Sequence, residues 1–286
     1  MVISLPRRWL WAVAASILAV AVLWGGCRSS APTNVPTTSV TLPVIMYHGL
    51  HPDSKKQGDY VISPALFEDD LRYLTEHGYT TVTIEQLLQF AAGGTLPPKP
   101  ILLTFDDGYL NNHLYATPLL QSYRCQAVLF PIVSETVRYT ALHDRNPAYA
   151  QVTWDDLRDM RDTGCWDIQN HSYALHTYTS RNGSARLPFE SLANYEAVLR
   201  DDIGQAQALL QAELGITARA FAYPFGAIGD GELDILQRMG FAVTFTCTER
   251  SNLLQPNAES LWDLGRFRRR NNMSAETFFT HVVKLS

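Results

Sequence analysis

Short apolar runs alternate along the chain with stretches whose apolar residues recur every three or four positions. The runs PVIMYH at 43–48 and ILLTF at 101–105 are typical of buried strands, whereas Phe67 and Leu71 have helical spacing. The alternation continues from Leu42 to the end of the chain. It predicts βα units arranged around a mainly parallel sheet.

Capping residues mark the ends of the first helices. Ser63 followed by Pro64, and Thr83 with Gln86 three residues later, are typical of helix N-termini. Gly78 is typical of a helix C-terminus. We therefore expect two helices here with a strand between them.

The same pattern predicts the remaining elements. Further strands are expected at 125–133, 166–170, 219–223, 241–247 and 262–268, and further helices near 112–122, 154–164, 189–214 and 230–239 and from Ser274. About seven or eight βα-like units result, and one (β/α) barrel over 42–286 fits them better than two domains. In such a fold the loops after the carboxyl ends of the strands carry the reactive groups.

The N-terminal segment has the composition of an export signal. Two arginines precede an apolar run at 9–23, which is shorter than the roughly 20 residues a helix needs to cross a bilayer. We expect a signal peptide over 1–27 with lipid attachment at Cys27, followed by a flexible tether over 28–41. An uncleaved anchor helix is the alternative. Either way the protein is expected at the outer face of the cytoplasmic membrane or in the cell envelope.

Composition and charge narrow the classes of partner. The 286 residues are 46% hydrophobic and 18% charged, and the net charge of −5 gives no basic footprint. The run RFRRR at 266–270 is too short to form a nucleic-acid groove, so nucleic acid is not expected as a partner. The cysteines Cys125, Cys165 and Cys247 lack zinc-finger spacing and are expected to be mostly buried, with one disulfide as the alternative.

Polar residues follow three of the predicted strands. Asp106 and Asp107 come directly after ILLTF, His171 and His176 follow 166–170, and YPFG follows RAFA. One carboxylate and two imidazoles suit zinc and leave open positions for water, while the second carboxylate is free to act as a base. Because the histidines are five residues apart, they can share an ion only if a turn separates them. Each signal alone has a structural alternative, since DDG is common in turns.

Three motifs together resemble a known family. TFDDG at 104–108, NHSYALH at 170–176 and FAYPFG at 221–226 are similar to the motifs of the polysaccharide deacetylase (NodB homology) family, carbohydrate esterase family 4. The wide histidine spacing looks like the branch that contains the poly-N-acetylglucosamine deacetylases. The resemblance implies an α/β fold, a distorted (β/α) barrel of about seven units.

The resemblance also implies an activity. The expected enzyme is a polysaccharide N-deacetylase, a hydrolase of linear amides, which removes N-acetyl groups from an N-acetylglucosamine-containing polymer such as an exopolysaccharide, peptidoglycan or chitin. It would use a divalent metal, expected to be Zn²⁺ with Co²⁺ or Ni²⁺ as alternatives, and a metal-activated water. Carried over by position, Asp106 matches the catalytic base, and Asp107, His171 and His176 match the metal ligands.

The motif FAYPFG departs from the family pattern at two positions. Ala222 stands where the family has an arginine, and Phe225 stands where it has a tyrosine. The arginine that pairs with the base must then come from elsewhere, and Arg266 is the candidate. Tyr223, Pro224 and Phe225 are expected to contact substrate, with the backbone N–H of Phe225 available to the oxyanion.

The general acid has no clear candidate in the sequence. The family's late leucine-histidine motif is not evident, and His281 is expected to be a structural residue. His48 is also expected to be structural, with a place in the cleft as the alternative because it too ends a strand. Two further hypotheses therefore stay open, an O-acetyl esterase acting on xylan-like polymers and a catalytically impaired surface protein that binds carbohydrate.

Overall fold

A computed structural model of the chain describes residues 39–285. The predicted signal peptide over 1–27, its Cys27, and residues 28–38 of the predicted tether lie outside the described residues. Between residues 39 and 285, no helix combines the length and apolarity needed to cross a membrane.

The predicted strands are present in the predicted order and are shorter than predicted, except for the strand that ends in Asp107, which is longer. Within the described residues, four further short strands were not predicted. The strands are β1 (Val40–Leu42), β2 (Val44–Tyr47), β3 (Gly49–Leu50), β4 (Val61–Ile62), β5 (Thr80–Thr81), β6 (Pro100–Asp107), β7 (Ala127–Pro131), β8 (Trp166–Ile168), β9 (Ala220–Ala222), β10 (Val243–Phe245), β11 (Asn252–Leu254) and β12 (Phe267–Arg268). Strand β1 includes the last two residues of the stretch predicted as tether, and it pairs antiparallel with β11.

The helices lie between the strands. They are α1 (Pro64–Glu76), α2 (Ile84–Ala91), α3 (Thr117–Tyr123), α4 (Val133–Leu142), α5 (Trp154–Asp162), α6 (Leu192–Leu214), α7 (Glu232–Arg238) and α8 (Ala275–Thr277). The predicted caps are present, because the Ser63 side chain accepts from Leu66 N–H and Thr83 forms a capping box with Gln86.

A parallel sheet forms the centre of the fold. Its strand order is β12-β2-β6-β7-β8, and β5 pairs with the start of β6. All of these pairings are parallel, so the predicted α/β fold with a parallel sheet is confirmed. Strand β6 is the longest member and is buried along its whole length.

The predicted seven-unit barrel is not confirmed, because the described strands do not form a closed sheet. Strands β9 and β10 form a separate parallel pair. Single bridges connect this pair to its neighbours, Asn170 with Phe221 and Phe245 with Leu264.

Alternate residues of β6 pack on opposite sides. Leu103 and Phe105 belong to the larger core cluster, which includes residues of α1, α5 and α6. Leu102 belongs to a second cluster with inward residues of β7 and β10. Because side chains alternate along a strand, Thr104 and Asp106 lie on the same side as Leu102. This register delivers one aspartate to the interior of the strand arrangement.

The three cysteines within residues 39–285 form no disulfide. Cys125 and Cys165 are buried, as expected, whereas Cys247 is exposed.

A buried ion pair connects the residue after the last strand to the first helix. Arg269 donates from Nε to Asp70 Oδ2 at 2.8 Å and from Nη2 to Oδ1 at 2.9 Å, and both side chains are fully buried. Tyr47 donates its hydroxyl to the same carboxylate at 3.0 Å. The pair thus holds α1, β2 and the residue after β12 together.

We expect Asp70→Asn to destabilise the fold, because it leaves the Arg269 charge buried without a counter-charge. Loss of one partner of a buried pair typically costs about 3–5 kcal/mol. The free energy of unfolding in urea measures this cost. Asp69→Asn is the matched control, since Asp69 pairs with Arg72 on the surface. A loss in D70N no larger than in D69N would contradict the prediction.

The buried carboxyl of Glu232 should make stability depend on pH. Burial raises its pKa from 4.5 to about 7, although Gly229 N–H donates to Oε2 at 2.7 Å. As pH rises from about 4.5 to about 7 the unfolded chain loses this proton first, so the folded state loses stability relative to it. Glu232→Gln should therefore raise the melting temperature at pH 8 more than at pH 5. The corresponding difference in the free energy of unfolding is on the order of 2 kcal/mol.

Asp234→Asn is the control for Glu232→Gln, because Asp234 is exposed on the same helix. Equal effects of E232Q at both pH values would show that Glu232 does not titrate between them.

Candidate active site

The two aspartates of TFDDG are separated by the geometry of one turn. Both end β6, but Asp107 has φ +70° and Gly108 has φ +81°. A Cβ on Gly108 would lie 2.9 Å from Pro131 Cβ, so only glycine fits there. The left-handed turn directs the neighbouring carboxylates to different partners.

Asp107 meets both predicted histidines. Its Oδ1 lies 3.7 Å from His171 Nε2 and 3.4 Å from His176 Nε2, and the three ligand atoms are within 4.8 Å of one another. Asp107 Oδ1 is buried and makes no hydrogen bond within residues 39–285. A buried oxygen without a partner, facing two imidazole nitrogens, fits a divalent cation.

The loop between the histidines supplies the turn that their spacing requires. Ser172 adopts φ +74°, and Asn170 Oδ1 accepts from Ser172 N–H at 2.8 Å. Asp202 on α6 accepts from the N–H groups of Tyr173 and Ala174 at 2.8 and 2.9 Å. A helix on the outside of the sheet therefore fixes the loop that carries both imidazoles.

Burial keeps the imidazoles neutral, as metal ligands must be. It lowers the pKa of His171 to about 3 and also lowers the pKa of His176. The Nδ1 of His171 lies 2.7 Å from the carbonyl oxygen of Ala222, which leaves Nε2 free for a ligand. Burial raises the pKa of Asp107 to about 6, and a cation beside it would favour its ionised form.

Asp106 instead pairs with an arginine. Arg266 donates from Nη1 to Oδ1 at 2.7 Å and from Nη2 to Oδ2 at 2.8 Å, with both residues buried. Burial alone would raise the pKa of Asp106, but the guanidinium outweighs it and the pKa falls to about 2. Asp106 is therefore ionised at neutral pH. The structure thus brings Arg266 to Asp106, as the departure from the motif arginine required.

These groups open into one cleft of about 630 Å³. Its walls are lined by Met46, His48, Tyr60, Asp106, Asp107, Tyr109, His171, His176, Tyr178, Phe225, Cys247, Glu249, Arg268 and Arg270. Phe225 thus lines the cleft. Tyr223 and Pro224 are buried and do not line it. The Tyr223 side chain points to the helix side of the sheet, like that of Phe221.

Three contributors to the site were missed or undervalued in the sequence. His48 was expected to be structural, yet it follows β2 and lines the cleft beside both aspartates. Its position after a strand end had indicated this place as the alternative to a structural role. Asp202 and the carbonyl of Ala222 act only through the fold and carry no local signal. His281 is exposed in the C-terminal helical turn and is not a cleft residue.

Two groups of known proteins are similar to this chain in sequence. Poly-beta-1,6-N-acetyl-D-glucosamine N-deacetylases of Staphylococcus aureus and Staphylococcus epidermidis are 24% and 25% identical to the chain over 231 and 207 residues. The alignments cover 81% and 72% of this chain, and 73% and 68% of the relatives. These relatives confirm the predicted enzyme class, a polysaccharide N-deacetylase.

Solved structures of deacetylases share the fold of this chain. The fold matches the Streptococcus pyogenes deacetylase PplD with a TM-score of 0.70 at 23% identity, over 86% of this chain and 99% of the other. IcaB from Ammonifex degensii matches with a TM-score of 0.66 at 28% identity, over 81% and 93%. Residues 93–244, more than half of the chain, match the family model described as polysaccharide deacetylase. The chain therefore belongs to the polysaccharide deacetylase family, the one that its motifs resemble.

Proposed function

We propose that the protein is a metal-dependent hydrolase that removes N-acetyl groups from a poly-N-acetylglucosamine polymer. The observation that carries the proposal is a single cleft in which an Asp-His-His group adjoins a second, arginine-paired carboxylate. The staphylococcal relatives, which are named for poly-beta-1,6-N-acetyl-D-glucosamine, support this choice of polymer.

Asp107, His171 and His176 would hold the metal, which we expect to be Zn²⁺, with Co²⁺ or Ni²⁺ as alternatives. When bound, such a cation would supply Lewis-acid chemistry, polarising the acetyl carbonyl and making a water molecule more acidic. The protein prepares the ligands by keeping both imidazoles neutral and one carboxylate oxygen without another partner.

Asp106 would act as the general base. It is ionised, and the two hydrogen bonds from Arg266 fix its plane. Each carboxylate oxygen keeps a lone pair beyond the one that Arg266 occupies, so Asp106 can accept the proton of the attacking water. Arg266 is then a positioning residue, because it is fully buried and acts through Asp106.

His48 is our candidate for the general acid that protonates the leaving amine. Burial lowers its pKa, while the Asp107 and Asp106 carboxylates favour its charged form. The ring could then give a proton to the leaving amine, and the proton that Asp106 takes from the attacking water would replace it. Tyr60 contacts it edge-on, with ring centroids 4.9 Å apart, and holds it at the cleft wall.

When water attacks the acetyl carbon, negative charge develops on the former carbonyl oxygen, and this oxyanion needs a hydrogen-bond donor besides the cation. We assign this role to the backbone N–H of Phe225, which lines the cleft. Tyr223 and Pro224 contribute indirectly, because their buried side chains fix the backbone that presents Phe225.

We also propose that the enzyme works outside the cytoplasm. The basic, apolar and cysteine-ended segment over 1–27 supports export with a lipid on Cys27, which would place the catalytic domain at the envelope surface.

The first test is acetate release from N-acetylglucosamine oligomers by the metal-stripped protein with and without Zn²⁺ or Co²⁺. We expect release only with metal, and a loss of at least about 100-fold in Asp106→Asn, because a general base typically contributes this much. Acetylated xylan serves as the comparison substrate. Faster release from xylan would favour the O-acetyl esterase, and saccharide binding with no release under any metal would favour the binding protein.

A second test concerns the proton donor. His48→Gln should lower kcat on the oligomers by about 100-fold or more, since it removes an acid near the reaction, but should leave Zn²⁺ affinity nearly unchanged. His281→Gln is the control, because His281 is exposed and is not a cleft residue. Full activity of H48Q would exclude His48 as the acid.

A further inference from the structure

The two histidines of the proposed metal site are held in different ways. His171 is buried, and its Nδ1 lies 2.7 Å from the Ala222 carbonyl oxygen. The side chain of His176 is 21% exposed. Within residues 39–285, no carbonyl of another residue anchors its ring as Ala222 anchors that of His171, and its hydrogen bond is to its own backbone. An imidazole held only by its own backbone is fixed less firmly than His171, so a further contact that orients it would reduce the entropy lost on binding an ion.

An aromatic ring packs against the His176 imidazole. The Phe225 ring lies 4.2 Å from the His176 ring, centroid to centroid, at an interplanar angle of 42°. Tyr178 contacts the same phenylalanine with centroids 4.5 Å apart. The His176 imidazole therefore packs against the Phe225 ring, which in turn packs against Tyr178.

The backbone of Phe225 is held in an unfavourable conformation. Its φ of 60° and ψ of 6° are left-handed, which typically costs a non-glycine residue about 1–3 kcal/mol. Close contacts fix the segment, because a Cβ on Gly226 would lie 2.7 Å from Cys247 N and a Cβ on Gly183 would lie 2.5 Å from Pro224 O. Such strain persists only where the surroundings impose it, and here it places the ring against His176.

We propose that Phe225 is a positioning residue whose ring orients the His176 imidazole towards Asp107 and thereby sets the affinity of the site for a divalent metal. This role rests on the proposed metal site and is separate from the contribution of the Phe225 N–H to the oxyanion. It makes the aromatic character of residue 225, rather than its bulk, a determinant of metal binding.

The test is the affinity of the full-length protein for Zn²⁺, measured by competition with a chromophoric chelator, together with the absorption spectrum of the Co²⁺ form. Phe225→Leu keeps an apolar side chain without a flat ring, and Phe225→Gly adopts φ 60° without strain and should fold. Both should bind Zn²⁺ about 10-fold or more weakly and change the Co²⁺ spectrum, as loss of a residue that orients a ligand does. Phe225→Tyr should bind within about twofold of the wild type, because the ring is kept.

Tyr178→Leu is the matched control, since it removes the neighbouring ring that does not contact His176, and its Zn²⁺ affinity should change less than that of F225L. If the wild type binds metal and F225L binds it as tightly, the role of Phe225 is overturned and the proposed metal site stands. If the wild type binds neither Zn²⁺ nor Co²⁺, both proposals fail. Equal weakening in F225Y and F225L would also overturn the role of the ring.

Discussion

The buried ion pair between Asp106 and Arg266 is the interaction on which the cleft depends. Removal of two charges from water is costly, and it is offset only when the geometry satisfies both partners. Here both carboxylate oxygens are used, and Arg266 Nε also donates to the carbonyl of Thr246 at 3.0 Å. Since Arg266 precedes β12 and Thr246 follows β10, the pair fixes three parts of the fold relative to one another.

The register of β6 decides which aspartate takes which role. Asp106 lies on the interior side with Thr104, where it pairs with the Arg266 guanidinium. The left-handed turn that follows directs Asp107 towards the histidines. A slip of one residue would exchange the two faces of the strand. The pairing of β6 with β2 on one side and β7 on the other opposes this slip, and so keeps the proposed base apart from the proposed metal ligand.

The sequence predicted those features that depend on local chemistry. The caps at Ser63 and Thr83 and the strand that ends in Asp106 follow from patterns of a few residues. Features that depend on packing between distant segments were not predicted. The outward orientation of Tyr223, the support of the 172–176 loop by Asp202 and the short ladders that leave the sheet unclosed are set by neighbours far away in the chain. His48 lies between these cases, because its position was read correctly and its surroundings were not.

The two hydrogen bonds from the 173–174 backbone to Asp202 have a consequence for the behaviour of the domain as a whole. They connect α6, which belongs to the outer layer, to the loop that carries both imidazoles. Free-energy coupling between two sites is reciprocal. An ion bound at the proposed site would therefore also stabilise α6 against the sheet, and any loosening of α6 would weaken ion binding. Occupancy of the site would then report on the docking of a helix that supplies none of the three proposed ligands.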